Sequence, residues 1–122
     1  MSNRNIYDET ENEQYLEADF WNKFDFSAGE VKYNETYYDE DMLLVEYDNK
    51  LLLDAGYYYG VFRIQIIWDC NWQSPVAVYS CRTKSDFEKL IYNAINQINK
   101  EIEQKRLSYY GPLWETIEIS YL

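Results

Sequence analysis

A single long amphipathic helix is the clearest element that the hydrophobic pattern predicts. Ser85 and Glu88 have the spacing of a capping box, in which the serine hydroxyl and the glutamate carboxylate each satisfy a free amide of the first turn. Apolar residues then recur every three or four positions, which predicts a helix from about residue 86 to residue 105. These residues are Phe87, Leu90, Ile91, Ala94, Ile95, Ile98 and Ile102.

The middle of the chain shows patterns that are typical of β-strands. In residues 61–68, apolar positions alternate with positions on a more polar face, as in a strand with one buried face. The polar triplet Asp48-Asn49-Lys50 separates two apolar runs and indicates a β-hairpin turn. The predicted strands are residues 42–47, 51–53, 61–68, 76–81 and 115–121.

A shorter, acidic helix is predicted near the N-terminus, over residues 11–24, after a polar tail at residues 1–9. The capping-box spacing between Thr10 and Glu13 precedes it. Its apolar side would carry three residues spaced by four, which is close to the helical period. They are Leu16, Phe20 and Phe24.

Together these elements predict an α+β fold, in which an antiparallel β-sheet is packed by the long helix at 86–105 and a short acidic helix lies near the N-terminus. The chain has 122 residues, and this length favours one domain over residues 1–122.

The net charge of −11 lies entirely in the first 54 residues. This part has fifteen Asp and Glu against four Lys and Arg, whereas residues 55–122 have seven of each. Concentrated charge governs solubility and the choice of partner rather than the fold. The asymmetry is therefore the feature of the sequence that is most informative about function.

The residue types present argue against most catalytic and cofactor sites. The chain has no histidine, which is the commonest general base and a common zinc ligand. It has no glycine-rich phosphate loop, and its two cysteines, Cys70 and Cys81, lie too far apart for a zinc motif. The segment with Asp39, Asp41 and Asp48 lacks the central glycine and the distal glutamate of an EF-hand loop. We expect neither catalysis nor a metal or cofactor, and a carboxylate-based hydrolase is the enzymatic alternative.

The cellular setting also follows from charge and hydropathy. No secretory signal or membrane-spanning apolar run is visible, so we expect a cytoplasmic protein, in a bacterial host, that does not bind membranes. The first half of the chain is poor in the basic residues that DNA or RNA binding needs, so direct nucleic-acid binding is not expected.

Aromatic rings interleave with carboxylates in the acidic half, a combination suited to an interface with a basic protein. Rings give contact area at low entropic cost, and carboxylates bind Arg and Lys. The predicted partner-binding residues are Glu30, Glu35, Tyr37, Tyr38, Asp39, Glu40, Asp41, Glu46 and Asp48. A second acidic set consists of Asp8, Glu9, Glu11, Glu13, Glu17 and Asp19.

In size, acidity and aromatic content the chain resembles small phage-encoded inhibitors of host defence, including anti-CRISPR and anti-restriction proteins. The resemblance implies a non-enzymatic DNA mimic that binds the basic nucleic-acid groove of a defence nuclease. Two alternatives remain: an immunity protein that neutralises a basic toxin, and a structural or assembly protein that self-associates through its tyrosines. The sequence leaves the oligomeric state open.

Overall fold

A mixed six-stranded sheet with one long helix against it forms the described part of the chain. The structure, a computed structural model, describes residues 15–103, 107–108, 111–112 and 116–122. The strands are β1 (Gly29–Asn34), β2 (Leu43–Tyr47), β3 (Leu51–Tyr58), β4 (Val61–Trp68), β5 (Ala77–Cys81), β6 (Leu107–Ser108), β7 (Gly111–Pro112) and β8 (Ile117–Tyr121). The helix α1 spans Lys84–Glu103, and 3-10 turns span Phe20–Lys23 and Asp48–Lys50.

The α+β prediction is confirmed, but the sheet is mixed rather than antiparallel. Its strand order is β1-β2-β3-β4-β5-β8, and β1 to β5 are antiparallel neighbours. The last strand, β8, lies parallel to β5 because the chain crosses over through α1 between them. The short strands β6 and β7 form a separate two-stranded sheet.

The predicted hairpin at residues 42–53 is present, and its second strand is longer than predicted. β2 and β3 meet at the Asp48–Lys50 turn, where Asn49 has φ of 65° and Lys50 has φ of 66°. β3 continues through Asp54 to Tyr58, so that it pairs with β4 along its whole length. This extension places Asp54 inside the sheet rather than in a connection.

The hydrophobic core lies between α1 and one face of the sheet. Phe87 of α1 stacks between Phe62 of β4, with ring centroids 4.4 Å apart, and Phe20, at 5.8 Å. The apolar helix positions that the sequence predicts are buried here, except the half-buried Ile102. Burial of this apolar stripe is the main force that holds the helix on the sheet.

The N-terminus of α1 differs from the prediction. The helix begins at Lys84, and the side chain of Thr83 caps it: Thr83 Oγ1 accepts a hydrogen bond from the backbone N–H of Asp86 at 3.1 Å. The capping box assigned to Ser85 is therefore wrong by two positions. The helix is described as far as Glu103, so the predicted end at residue 105 lies outside the described residues.

The predicted acidic N-terminal helix is absent from the described residues. Residues 1–14 lie outside them, and residues 15–24 form a helical turn only at Phe20–Lys23. Leu16 instead donates its backbone N–H to the Thr36 carbonyl at 2.6 Å, so the chain there runs beside the β1–β2 connection. The apolar residues are nevertheless buried, because Leu16, Phe20 and Phe24 all join the core.

None of the described helices is both long and apolar enough to cross a lipid bilayer.

Candidate partner-binding surface

The sheet has two faces, and the face turned away from α1 carries the charged side chains of its strands. We call this the outer face. Since side chains alternate along a strand, the strands that bury Val45, Leu53 and Ile64 against the helix point the residues between them outward. The strand register aligns one outward row across the sheet: Tyr33, Leu44, Asp54, Gln65, Val78 and Glu118.

The connection between β1 and β2, residues 35–42, is the most acidic segment that the structure describes, and we call it the acidic loop. It lies along the part of β3 that β2 does not reach. The backbone N–H of Met42 donates to the Ala55 carbonyl at 3.0 Å, and the backbone N–H of Tyr57 donates to the Asp39 carbonyl at 2.8 Å. The backbone N–H of Glu35 donates to the Met42 carbonyl at 2.6 Å, and this bond joins the two ends of the loop. These bonds hold the acidic loop against the sheet.

Gly56 allows the acidic loop to approach the sheet closely. The Glu40 carbonyl lies directly against the Cα of Gly56, where a Cβ atom would overlap the Glu40 backbone. Tyr58 donates its hydroxyl to the same Glu40 carbonyl at 3.2 Å. The position therefore needs glycine because of this close approach, although its backbone is ordinary strand.

The nine predicted binding residues form a band along β1 and β2 rather than one compact cluster. Six of them lie in the acidic loop at one end of β2: Glu35, Tyr37, Tyr38, Asp39, Glu40 and Asp41. Glu30 and Glu46 face each other across β1 and β2 on the outer face, and Asp48 lies in the turn at the far end of β2. The five residues of β2 separate the two ends by about 17 Å.

The two predicted aromatic anchors differ in exposure. Tyr37 is 59% exposed and pairs with Tyr15 through an isolated bridge. Tyr38 is half-buried, because its ring packs on Tyr57 at 4.6 Å and on Phe62 at 5.2 Å between centroids. Tyr37 is thus available to a partner, whereas much of Tyr38 supports the edge of the core.

Most of the acidic loop's charge is not neutralised within the described residues. Lys32 lies between Glu30, at 3.6 Å, and Glu46, at 3.9 Å, and so offsets the middle of the band. The carboxylates without a Lys or Arg partner in the described part of the chain are Glu35, Asp39, Glu40, Asp41 and Asp48.

The second acidic set contributes less free charge. Glu17 binds Lys84 at 2.8 Å, and this bond lowers the pKa of the Glu17 carboxyl. Asp19 is exposed beside the first 3-10 turn. The remaining members of the set, Asp8, Glu9, Glu11 and Glu13, lie outside the described residues.

Asp54 is a candidate binding residue that the sequence analysis missed. It lies in the middle of the outer face and is only 7% exposed. Burial, and secondarily the charge of Asp41, raise the pKa of the Asp54 carboxyl to about 6. The one signal in the sequence was that Asp54 is a charged residue within the otherwise apolar run from Leu51 to Ala55, and that Gly56 follows this run.

Other reactive groups do not assemble around this surface. Across the residues that the structure covers, no three Asp, Glu or Cys side chains lie close enough together to hold a metal ion. Both cysteines are free thiols: Cys70 is exposed in the β4–β5 connection, and Cys81 is buried.

No family model matches the chain, and no curated protein or solved structure shows significant similarity to it.

Proposed function

We propose that this chain is a non-enzymatic inhibitor whose acidic loop and neighbouring outer-face carboxylates occupy the basic nucleic-acid groove of a defence nuclease. The observation that carries the proposal is the set of acidic-loop carboxylates that form no ion pair with a described Lys or Arg, on a loop held in place by backbone hydrogen bonds to β3. Exposed charge on a fixed scaffold attracts a basic partner and loses little conformational freedom on binding.

The amount of charge is of the order that nucleic acid presents. Residues 29–54 carry eight carboxylates against two lysines. Duplex DNA carries about one charge per 1.7 Å of its axis, so the ~17 Å length of β2 corresponds to about ten phosphates. A groove that binds phosphates therefore meets a comparable density of negative charge on this band.

Charge reversal in the acidic loop tests the proposal. We expect the triple variant Asp39→Lys, Glu40→Lys and Asp41→Lys to lose at least tenfold in affinity for a susceptible CRISPR effector or restriction nuclease. Binding would be measured by calorimetry on a panel of purified nucleases, and duplex DNA should compete with the wild-type chain.

The matched control reverses the same number of charges at positions outside the acidic loop. The variant Asp69→Lys, Glu88→Lys and Glu103→Lys should bind within about twofold of wild type. Equal affinity of the two triple variants, with both folded by circular dichroism, would contradict the proposal, as would failure of every nuclease to bind. Binding to a basic toxin instead would support the immunity-protein alternative, and self-association in sedimentation would support the assembly alternative.

A further inference from the structure

Asp54 is a buried carboxylate to which no described residue donates a hydrogen bond. Burial disfavours the charged form of the Asp54 carboxyl, and the neighbouring carboxylate of Asp41 disfavours it further. Buried carboxylates are ordinarily paired or hydrogen-bonded, because an isolated buried charge is costly. Within the described part of the chain, Asp54 thus lacks the donors that its position calls for.

Three oxygen-bearing side chains from different elements interact electrostatically with this carboxylate: Asp41 of the acidic loop, Tyr33 of β1 and Tyr58 of β3. Burial raises the pKa of the Tyr33 hydroxyl, and the charges of Asp41 and then Asp54 raise it further. Burial, followed by the charges of Asp54 and its acidic neighbours, likewise raises the pKa of the Tyr58 hydroxyl, which donates its proton to the Glu40 carbonyl. The oxygens of both hydroxyls can still accept hydrogen bonds.

We propose that Asp54, together with Asp41 and the hydroxyls of Tyr33 and Tyr58, receives one arginine side chain of the basic partner, an inference that rests on the function proposed above. The guanidinium supplies the missing donors and a balancing charge. It carries five N–H donors in a planar fork that spans neighbouring carboxylates, whereas a lysine ammonium has three. It is also more weakly hydrated than an ammonium and so loses less on burial.

The site keeps some contact with solvent, because Asp54 retains 7% of its surface exposed on the outer face of the sheet. The chain's own nearest arginine, Arg63, pairs with Gly56 in the strand register and is therefore a diagonal neighbour of Asp54. Arg63 is exposed and forms no ion pair within the described part.

The experiment uses N-acetyl-arginine methylamide as the probe and the corresponding lysine derivative as its comparison, at constant ionic strength. NMR would follow the Asp54 carboxyl carbon and the backbone amides of β3 and the acidic loop. In the free protein we expect Asp54 to titrate near pH 6, as its burial predicts. The arginine derivative should lower this pKa and bind several-fold more tightly than the lysine derivative.

Asp54→Asn is the decisive variant, because it keeps the shape of the side chain and removes its charge. We expect at least a tenfold loss of arginine binding together with an unchanged or higher melting temperature, which separates the loss from unfolding. Glu118→Gln, an exposed carboxylate at the far edge of the same face and outside the predicted binding residues, is the matched control and should bind within twofold of wild type.

Three results would overturn the arginine site. They are titration of Asp54 at or below pH 4 in the free protein, unaltered arginine binding by Asp54→Asn, and equal binding of the lysine derivative. If Asp54→Asn kept its nuclease affinity while the acidic-loop triple variant lost it, the proposed function would stand without this site. If the probe bound at Asp54 but no nuclease bound the chain, the proposed function would fail instead.

Discussion

The two faces of the sheet are built from the same strands, yet they follow different rules. The face against α1 fully buries apolar residues such as Leu53 and Ile64. Each methylene group that it removes from water stabilises the folded state. The outer face keeps half-buried residues such as Leu52 and Gln65, and it places a charge, Asp54, where burial opposes it. The difference indicates that the inner face specifies the fold, while the outer face, apart from the fully buried Ile67, packs less tightly and carries the charge.

Leu53→Ala and Leu52→Ala would test this contrast most strongly, since identical side chains point to opposite faces. Leu53 is fully buried in the core, so its truncation should lower the free energy of unfolding by about 2–5 kcal/mol. Leu52 is half-buried, and its truncation should cost about 1 kcal/mol or less. Urea unfolding followed by tryptophan fluorescence measures both. Equal losses would mean that the outer face is also a packed core.

Asp54→Asn should show that the outer face carries a cost in stability. The folded carboxyl has its pKa raised from 3.8 to about 6, so the native state holds the proton more tightly than the unfolded state does. Stability therefore falls as the pH rises from about 4 to 6, and the loss is complete above that window. At pH 7.5 the asparagine variant should be more stable by up to about 3 kcal/mol.

The pH dependence supplies the control for this prediction. Below about pH 3 the aspartate is protonated in both states, so the wild type and Asp54→Asn should unfold at nearly the same urea concentration. A constant difference at every pH would trace the effect to packing instead of charge.

Thr83→Ala gives the smallest effect and concerns the helix that covers the inner face. The Thr83 hydroxyl satisfies an otherwise free amide of the first turn, so its removal should cost about 1 kcal/mol. Ser85→Ala is the control, because Ser85 is exposed and should change stability by less than about 0.5 kcal/mol. If Ser85→Ala lowered the melting temperature more than Thr83→Ala, Ser85 would be the residue that caps the helix, as the sequence predicted.

The sequence predicted the elements whose patterns are local and missed those that depend on distant contacts. The alternation over residues 61–68 matches β4, and the periodic stripe gives α1 nearly in full. The spacing of Leu16, Phe20 and Phe24 imitates a helix, but the amide of Leu16 is satisfied by Thr36, twenty residues later. The parallel pairing of β5 with β8 likewise has no local signature.

The candidate site was predictable in composition but not in arrangement. The sequence identifies the acidic run at Asp39, Glu40 and Asp41, and the structure places it against β3. It could not reveal that Asp54 lies on the same face, because the predicted strand ended at Leu53. Only the full length of β3 and the close approach at Gly56 bring these carboxylates together.

The crossover through α1 has a consequence for assembly of the fold. Strands β1 to β5 join sequence neighbours, whereas β8 reaches β5 only after a connection of some 35 residues has closed, a slow step for a chain. Until that step, β5 offers an open row of backbone donors and acceptors to any strand nearby. The β8 strand of a second copy fits that row as well as the chain's own. Refolding at high protein concentration should therefore yield domain-swapped dimers, and refolding at high dilution should not.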